Sequence, residues 1–385
     1  MFQTSPNQLL ALGGLGLTLL WGVAFLNGMF DNLDTVLETG LLPDGRALRT
    51  VYSHNWLIDN RLTLLTAFYD LLTNSLSTGP PLLFFDVNYV VACTNVWVLV
   101  ESRRRGVRNF FLRHTWVIII LWNATGAAII QPLYFYCVSK SKAVSRDPTI
   151  PINEAISVFI TTILALLCPL LLFLPSWLSY SAWDHHGFIA LFHISPILVT
   201  VLFITGSTVL SYCRMSTPNK ASENPNADKL WIVASYITTG TVAAAVHAFT
   251  VITSLRTSNP DVTFTRLFIP SPGRANLFRT WFPKFTSAFP GLPAKYTELL
   301  EQYHLFSQFD LVVVALSCIV FVHYLLSHSG SNKVEHHKKR IASVENRELV
   351  YLYLGTLFLG PGAAGSFALA IRESRIRRYN MLKAQ

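Results

Sequence analysis

Apolar stretches long enough to cross a membrane recur along the whole sequence, and they limit the possible folds more than any other feature. A spanning helix needs about 20 mainly apolar residues. Backbone groups cannot stay unpaired in lipid, so these stretches favour helices and not open strands. The sequence therefore predicts an all-α, polytopic transmembrane helical bundle. The candidate spans lie near residues 9–30, 58–77, 82–101, 112–137, 153–175, 189–213, 229–253, 305–327 and 349–371.

The second of these stretches, 58–77, is the weakest candidate span. Asp59, Arg61, Asp70 and Asn74 interrupt its apolar character. An interfacial or half-buried helix is the alternative for this stretch, and it would reduce the number of spans to eight. We therefore expect about nine spans, with eight as the alternative.

Composition supports a membrane protein and argues against a nucleic-acid-binding one. Charged residues make up 13% of the chain, against about 25% in soluble domains. The net charge is +9, but basic residues cluster between apolar stretches, as at 103–108 and 336–347, which is typical of membrane-flanking charge. The five cysteines show no paired spacing, so neither a disulfide framework nor a thiolate metal site is indicated. We expect the lipid bilayer to be a partner, and no nucleic acid.

No change in composition marks a second domain. We predict a single transmembrane helical domain over residues 1–385, in which 254–304 is the longest connection between spans. This connection is rich in Pro, Phe and Trp, and aromatic side chains favour the headgroup region of a membrane. The sequence therefore predicts an interfacial cap or lid over 254–304.

Several acidic residues fall inside or at the ends of apolar stretches. Asp59 and Asp70 are separated so that a helix places them within about 20° of one face and about 16 Å apart along its axis, and we expect both to face the same neighbours. Asp86, Glu101 and Asp310 are the other acids in such positions. Buried acids in spans usually line a cavity, and one that stays protonated can donate a proton. The alternative is a structural role, in which each acid pairs with a nearby cation.

Aromatic and amide side chains accompany these acids. The chain has 26 Phe, 14 Tyr and 9 Trp, and aromatic faces stabilise a cation without reacting with it, although most of these side chains serve packing. Asn123 and Gln131 lie about 80° apart around one helix, where they either hold a substrate oxygen or bond another helix. The candidate substrate-binding residues are Phe68, Tyr69, Trp97, Asn123, Gln131 and Tyr134.

Motifs for the ionisation of a diphosphate are missing from the sequence. Neither DDxxD nor DxDD occurs. Asp31, Asp34 and Glu38 share one helical face, a spacing that suggests a magnesium–diphosphate site, but they lie just outside the first span. We therefore expect no metal and no cofactor.

Three further features have structural interpretations. His185 and His186 are predicted to lie in an interfacial turn between spans. His247, deep in a span, is predicted to bond another helix. The glycine-rich segment 360–365 is predicted to kink the last span and allow close packing.

Four segments, in order, resemble a known family. LIDNRLTLLTAFYDLL is similar to the Asp-x-x-Leu-Thr-x-Leu-x-x-Phe-Phe stretch of fungal integral-membrane terpene cyclases that act late in meroterpenoid pathways, such as ascofuranone and macrophorin biosynthesis. NVWVLVESRRRG resembles the family's Trp and Glu-Ser-x-Arg-x-Gly stretch. NATGAAIIQPLYFYC resembles its Pro-Leu-Tyr helix, with Gln131, Pro132 and Tyr134 at the matching positions, and HLFSQFDLVV resembles its Gln-Phe-Asp span. The resemblance covers most of the chain.

The resemblance implies that Asp59, Glu101 and Asp310 are catalytic acids. Asp70 departs from the family pattern, which tends to read Phe-Phe-Trp-Pro with an acid a few residues later, whereas this chain reads FYDLLTNS. Asp70 therefore either replaces a missing acid or is peripheral, and it is the fourth catalytic candidate because of its depth in the stretch.

The activity that the resemblance implies is that of a membrane-bound terpene cyclase, an enzyme of the intramolecular isomerase or lyase type. An acid would protonate a terminal alkene or an epoxide on a prenyl chain attached to an aromatic or polyketide head. Ring closure would then end by proton loss or by capture of a hydroxyl group. The implied partner is this prenylated small molecule, and we expect the endoplasmic reticulum membrane as the location.

Two other functions use similar residues. A proton-coupled transporter or lipid-binding protein would use the acids at broken helices, but no corresponding Gly/Pro-interrupted spans occur in two halves of the sequence. A sterol or prenyl double-bond isomerase would use the same acid and aromatic chemistry without making a ring. The sequence indicates no oligomeric state.

Overall fold

The computed structural model of the chain describes residues 4–141, 147–215, 226–276, 292–328 and 338–384. Within these ranges the chain is almost entirely helical, and no strand is formed beyond an isolated bridge between Leu41 and Ala47. The predicted all-α fold is therefore confirmed for the described residues.

The α-helices differ widely in length, from a single turn to 34 residues. A π-helical turn, Thr18–Gly22, joins the first two. In chain order the helices are α1 (Pro6–Leu17), α2 (Val23–Leu26), α3 (Met29–Thr39), α4 (Trp56–Thr73), α5 (Gly79–Arg103), α6 (Phe110–Arg113), α7 (Thr115–Thr125), α8 (Ala127–Lys140), α9 (Ile152–Leu167), α10 (Leu170–Trp177), α11 (Ala182–Met215), α12 (Lys229–Arg256), α13 (Phe264–Phe268), α14 (Ala294–Ser327), α15 (Lys338–Leu359) and α16 (Pro361–Ala384).

Six helical stretches within the described part of the chain are long and apolar enough to cross a membrane. Helix α4 is not among them, since Asp59, Arg61 and Asp70 lie within its 18 residues. The predicted number of about nine spans stays a prediction. The six stretches are Pro6–Leu26, Gly79–Arg103, Ile152–Trp177, Ala182–Cys213, Lys229–Arg256 and Ala294–Ser327.

Four of the predicted spans are interrupted: 9–30 turns at Gly28, with φ of 78°, and each of the others also has a local cause. The stretch 112–137 breaks at Gly126, whose φ of 101° is incompatible with a continuing helix. The stretch 349–371 breaks at Gly360, with φ of 83°. The stretch 153–175 is divided between α9 and α10 next to Pro169, which lacks the N–H that a helix interior needs.

Helix α5 lies at the centre of the bundle and is buried around most of its circumference. Glycines let α16 approach it closely: a Cβ at Gly362 would lie 2.8 Å from the sulfur of Cys93, and one at Gly365 would collide with Trp97. The close packing predicted for the segment 360–365 is therefore confirmed.

The described part of the 254–304 connection packs against α14. Residues 277–291 of the predicted cap lie outside the described residues. In α13, Leu267 is fully buried. The side-chain amide of Gln308 donates to the carbonyl oxygens of Arg266, Leu267 and Ile269 at 2.8, 3.0 and 3.1 Å. A role of this segment as a lid stays a prediction.

Candidate functional site

A cavity of about 340 Å³ lies between α3, α4, α5, the α7–α8 break and α14. Its volume is in the range of small-molecule sites, about 300–1,000 Å³. Most of its wall is apolar, and seven of the side chains that line it are aromatic. These aromatic residues are Trp21, Phe30, Phe68, Tyr69, Phe84, Trp122 and Phe306.

Asp310 is a buried carboxyl group in the wall of this cavity. Its Oδ1 accepts a hydrogen bond of 2.7 Å from the backbone N–H of Ala128, and it forms no ion pair with any described residue. The first N–H groups of a helix have no partner within the helix. The break at Gly126 therefore exposes the N-terminus of α8 to the carboxyl group, and the positive end of the helix dipole favours a carboxylate there.

Gly126 is required for this approach of α8 to α14. A side chain at this position would collide with Leu20 in the π-helical turn, and its Cβ would lie 3.7 Å from Oδ1 of Asp310. The turn itself is held by Trp21, whose indole N–H donates to the carbonyl oxygen of Thr125 at 2.8 Å. The irregular backbone therefore serves to shape the cavity wall around Asp310.

Asn123 and Tyr69 provide polar groups in the cavity wall. The hydroxyl of Tyr69 donates to the backbone oxygen of Asn123 at 3.3 Å, while the side-chain amide of Asn123 has no partner among the described residues. Asn88, Val91 and Asn123 also line a neighbouring void of about 50 Å³. Asn123 can therefore hydrogen-bond a ligand from either side.

Asp70 lies outside the cavity lining and is fully buried in a polar cluster. Arg46 donates to both of its oxygens, at 3.3 and 2.6 Å, and Asn74 donates at 3.1 Å. His186 accepts from the N–H of Arg49 through Nδ1, so its Nε2 is free to donate to Asp70 at 3.3 Å. Asp70 therefore joins α4 to α11 and to the preceding loop.

The two histidines of this cluster differ from the sequence-based prediction. His185 and His186 were expected in an interfacial turn, but both are buried in the first turns of α11, and Nδ1 of His185 lies 3.3 Å from Asp70. Burial would lower the pKa of Arg46, yet the charges of Asp70 and Asp44 raise its pKa above the ordinary value. The guanidinium of Arg46 is therefore a permanent counter-charge to Asp70.

Asp59 bonds to a different part of the chain from Asp70. One oxygen accepts from the backbone N–H groups of Tyr52 and Ser53, at 3.1 and 2.7 Å, and from the hydroxyl of Ser53 at 3.0 Å. The expectation that both acids face the same neighbours is wrong, because about three turns of α4 separate them. Asp59 fixes the loop that leads into α4.

Glu101 lies in a buried ion-pair network at the far end of α5. Arg104 donates to both oxygens of Glu101 at 3.0 and 2.8 Å, and Arg372 donates at 2.7 Å. Arg104 also pairs with Glu373 at 2.8 Å. The network therefore joins α5 to α16, and it compensates the charge of Glu101 fully.

The remaining predicted site residues mediate helix packing. The indole of Trp97 donates to Ser366 at 2.8 Å. Gln131 accepts from the hydroxyl of Thr94 at 3.3 Å, and the hydroxyl of Tyr134 donates to the carbonyl of Leu112 at 2.9 Å. All of these lie outside the cavity lining. Likewise, His247 bonds Asp86 on another helix at 2.7 Å, as predicted.

Four of the predicted site residues line the cavity together: Phe68, Tyr69, Asn123 and Asp310. Sequence reasoning did not select Arg61 and Asp34, which line its exposed rim, or Trp122 and Phe306. Asp34 belongs to the acidic face that had been set aside with Asp31 and Glu38. Within the described ranges, no three His, Cys, Asp or Glu side chains are grouped as metal ligands would be.

The arrangement can carry out one kind of chemistry well. An acid without a counter-ion faces an apolar space, and aromatic rings surround that space. A protonated Asp310 could transfer its proton to a weakly basic group, and the rings would stabilise the resulting cation.

Known proteins match this chain over nearly its full length. The CtvD domain matches residues 6–377. Terpene cyclase DEP1 of Fusarium langsethiae and terpene cyclase DEP1 of Alternaria brassicicola are each 48% identical over 377 residues, covering 98% of this chain and 100% of the relative. Terpene cyclase alnG of Emericella nidulans is 24% identical over 373 residues, covering 94% of this chain and 92% of the relative. No solved structure matches the chain.

Proposed function

This chain belongs to the CtvD-domain family, and we propose that it is a membrane-bound terpene cyclase that starts ring closure by protonating a prenyl chain. The proposal is supported by relatives that match nearly the whole chain and are named terpene cyclases. The observation that carries the mechanism is the position of Asp310, a buried acid without a counter-ion in the wall of an aromatic-lined cavity.

Asp310 is the proposed proton donor. In its protonated form it gives the proton to a terminal alkene carbon or to an epoxide oxygen of the prenyl chain. The N–H of Ala128 and the N-terminus of α8 then stabilise the carboxylate that remains. A dry cavity is needed for this step, because water would compete for the proton and capture the cation.

The aromatic wall is proposed to guide the cation. Phe68 packs against Phe306 with ring centroids 5.3 Å apart, and Tyr69 is oriented by its bond to Asn123. Cation–π contacts of this type contribute about 0.5–2 kcal/mol each when desolvated. An adjacent double bond or a hydroxyl group attacks the cation and closes the ring. The proton that Asp310 gives is balanced by the proton lost at the end, so the net reaction is an isomerisation.

The other acids are proposed to hold the fold. Asp59 fixes the entry into α4, Asp70 joins α4 to α11, and Glu101 joins α5 to α16. Each has protein donors that compensate its charge, so none is available as an acid for a substrate in the cavity. Glu101 and the other two therefore position the cavity without touching the reacting atoms.

The proposed substrate is a prenyl chain attached to an aromatic or polyketide head, and the proposed location is the endoplasmic reticulum membrane. The six membrane-length helices support the membrane association. The apolar cavity suits the prenyl chain, and the proposed reaction needs no ionisation of a diphosphate.

The test is product analysis of microsomes that contain the chain, supplied with prenylated phenols with and without a terminal epoxide. We expect a product with the mass of its substrate and one carbon–carbon double bond or epoxide fewer, detected by chromatography, mass spectrometry and NMR. A double-bond isomerase would keep the number of double bonds. Microsomes with Asp310→Asn should form no ring, and EDTA should leave the wild-type rate unchanged. Loss of cyclisation in EDTA that magnesium restores would contradict the proposed initiation.

A further inference from the structure

Among the described residues, three charged side chains line the cavity. Asp310 is buried, whereas Arg61 on α4 and Asp34 on α3 are exposed at the rim. Asn88 and Ser307 also line it, but they donate to backbone oxygens of Phe84 and Tyr303. A ligand in the cavity therefore meets free charges at the rim and at Asp310.

An apolar face of α4 runs from Arg61 into the cavity. Arg61 is followed on this face by Leu64, Leu65, Phe68 and Tyr69, all of which line the cavity. From Arg61 to Tyr69 the helix rises about 12 Å. A ligand that binds Arg61 and extends along this face past Tyr69 therefore needs an apolar section of at least about this length between its polar group and its reacting group.

Arg61 and Asp34 are both free to bind such a polar group. Neither side chain forms a hydrogen bond or an ion pair with a described residue, and they do not pair with each other. Asp34 is exposed at the rim, while Met29 and Leu33 of the same helix are buried and line the cavity beside it. Arginine is suited to acidic oxygens, since its guanidinium offers parallel donors, and a carboxylate at Asp34 accepts from a hydroxyl group.

We infer that Arg61 and Asp34 form a head-group subsite that selects prenyl chains carrying an acidic, hydroxylated head. Arg61 binds the acidic oxygen, and Asp34 accepts a hydrogen bond from a neighbouring hydroxyl group of the head. This inference rests on the proposed function, and it makes Arg61 the residue that determines head-group specificity. The prenyl chain then extends along α4 with its far end at Asp310.

The experiment measures binding without turnover, in purified protein carrying Asp310→Asn. The probes are a farnesylated dihydroxybenzoic acid and its methyl ester with both hydroxyls methylated. Arg61→Ala should weaken binding of the acid by about tenfold or more, as expected for a charge-assisted hydrogen bond, and leave the binding of the ester unchanged. Arg61→Lys should bind the acid more tightly than Arg61→Ala but less tightly than arginine does. Asp34→Asn should weaken binding of the acid by about threefold.

Arg105→Ala is the matched control, because Arg105 is also exposed but lies outside the cavity lining. If Asp310→Asn does not fold, the same comparison is made with otherwise wild-type protein, where Arg61→Ala should raise KM for the acid and leave kcat unchanged. Equal effects of Arg61→Ala on the binding of acid and ester, or no effect on either, would overturn the inference. The proposed cyclase function would still stand. Absence of ring formation in the wild type would instead remove the proposed function, and this inference with it.

Discussion

Asp310 and Glu101 are both buried carboxyl groups in membrane-length helices, yet their surroundings are opposite. Glu101 receives hydrogen bonds from Arg104 and Arg372, and the hydroxyl of Tyr236 lies 3.4 Å away. Asp310 receives one backbone hydrogen bond and faces a cavity. Burial of an acid therefore does not by itself indicate proton transfer. The presence or absence of a counter-charge separates the structural carboxylate from the candidate proton donor.

The comparison predicts its largest effect for Asp310→Asn. This change keeps the shape of the side chain and its acceptor for the N–H of Ala128, but it removes the proton to be donated. We expect the cyclisation rate to fall by about 10²–10⁴-fold, with no change in the thermal unfolding of the detergent-purified protein. Asp59→Asn, in an acid outside the cavity, is the matched control and should retain activity within a few-fold. Retention of the full rate by Asp310→Asn would show that another group donates the proton.

Glu101→Gln should give the reverse pattern. It leaves buried arginine charge without its counter-ion, and breaking a buried pair typically costs about 3–5 kcal/mol. We expect a large loss of folded protein and a lower unfolding temperature, with nearly normal activity per folded molecule. Adding Arg372→Met should recover part of the stability, because it removes one of the positive charges that surround position 101. A Glu101→Gln variant that folds normally but has no cyclisation activity would show that Glu101 takes part in the reaction and does not serve only to stabilise the fold.

Much of this fold could be predicted from the sequence, because lipid imposes a strict rule on apolar stretches. The all-α class and the terpene cyclase family are confirmed. The breaks were harder to predict, since Gly126 is a single glycine in a long apolar stretch. Its role depends on Leu20, more than a hundred residues earlier, which only the folded chain brings into contact.

The site could be predicted only where a residue stands out within its own stretch of sequence. Phe68, Tyr69 and Asp310 carried a local signal, as aromatic residues or an acid inside an apolar stretch. Arg104 and Asn74 are close to these acids in sequence, but the distant partners carried no local signal: Arg372 is 271 positions from Glu101, and His186 is 116 from Asp70. A sequence read without contacts therefore identifies buried acids but cannot distinguish compensated ones from free ones.

Asp70→Asn tests an intermediate case. Asp70 is fully buried, but its main partner Arg46 keeps 29% of its side chain exposed, so the arginine can turn to water when the carboxylate is lost. We expect a destabilisation of about 1–3 kcal/mol, smaller than for Glu101→Gln, with the remaining folded protein active. Thermal unfolding of both variants side by side measures the difference. A greater loss for Asp70→Asn would mean that the histidines, and not Arg46, dominate this cluster.

The smallest effect is expected for Trp21→Phe, in the cavity wall at the α7–α8 break. The change removes the indole N–H that bonds the carbonyl oxygen of Thr125, but it keeps an aromatic ring against Phe30, whose centroid lies 5.5 Å away. Because Trp21 is 41% exposed, the lost hydrogen bond should cost no more than about 1 kcal/mol. Trp21→Ala removes the ring as well, so it should lower activity further by opening the cavity wall beside Asp310. If Trp21→Phe reduced cyclisation as strongly as Trp21→Ala, the hydrogen bond to Thr125, and not the ring, would be what holds the α7–α8 break in position for Asp310.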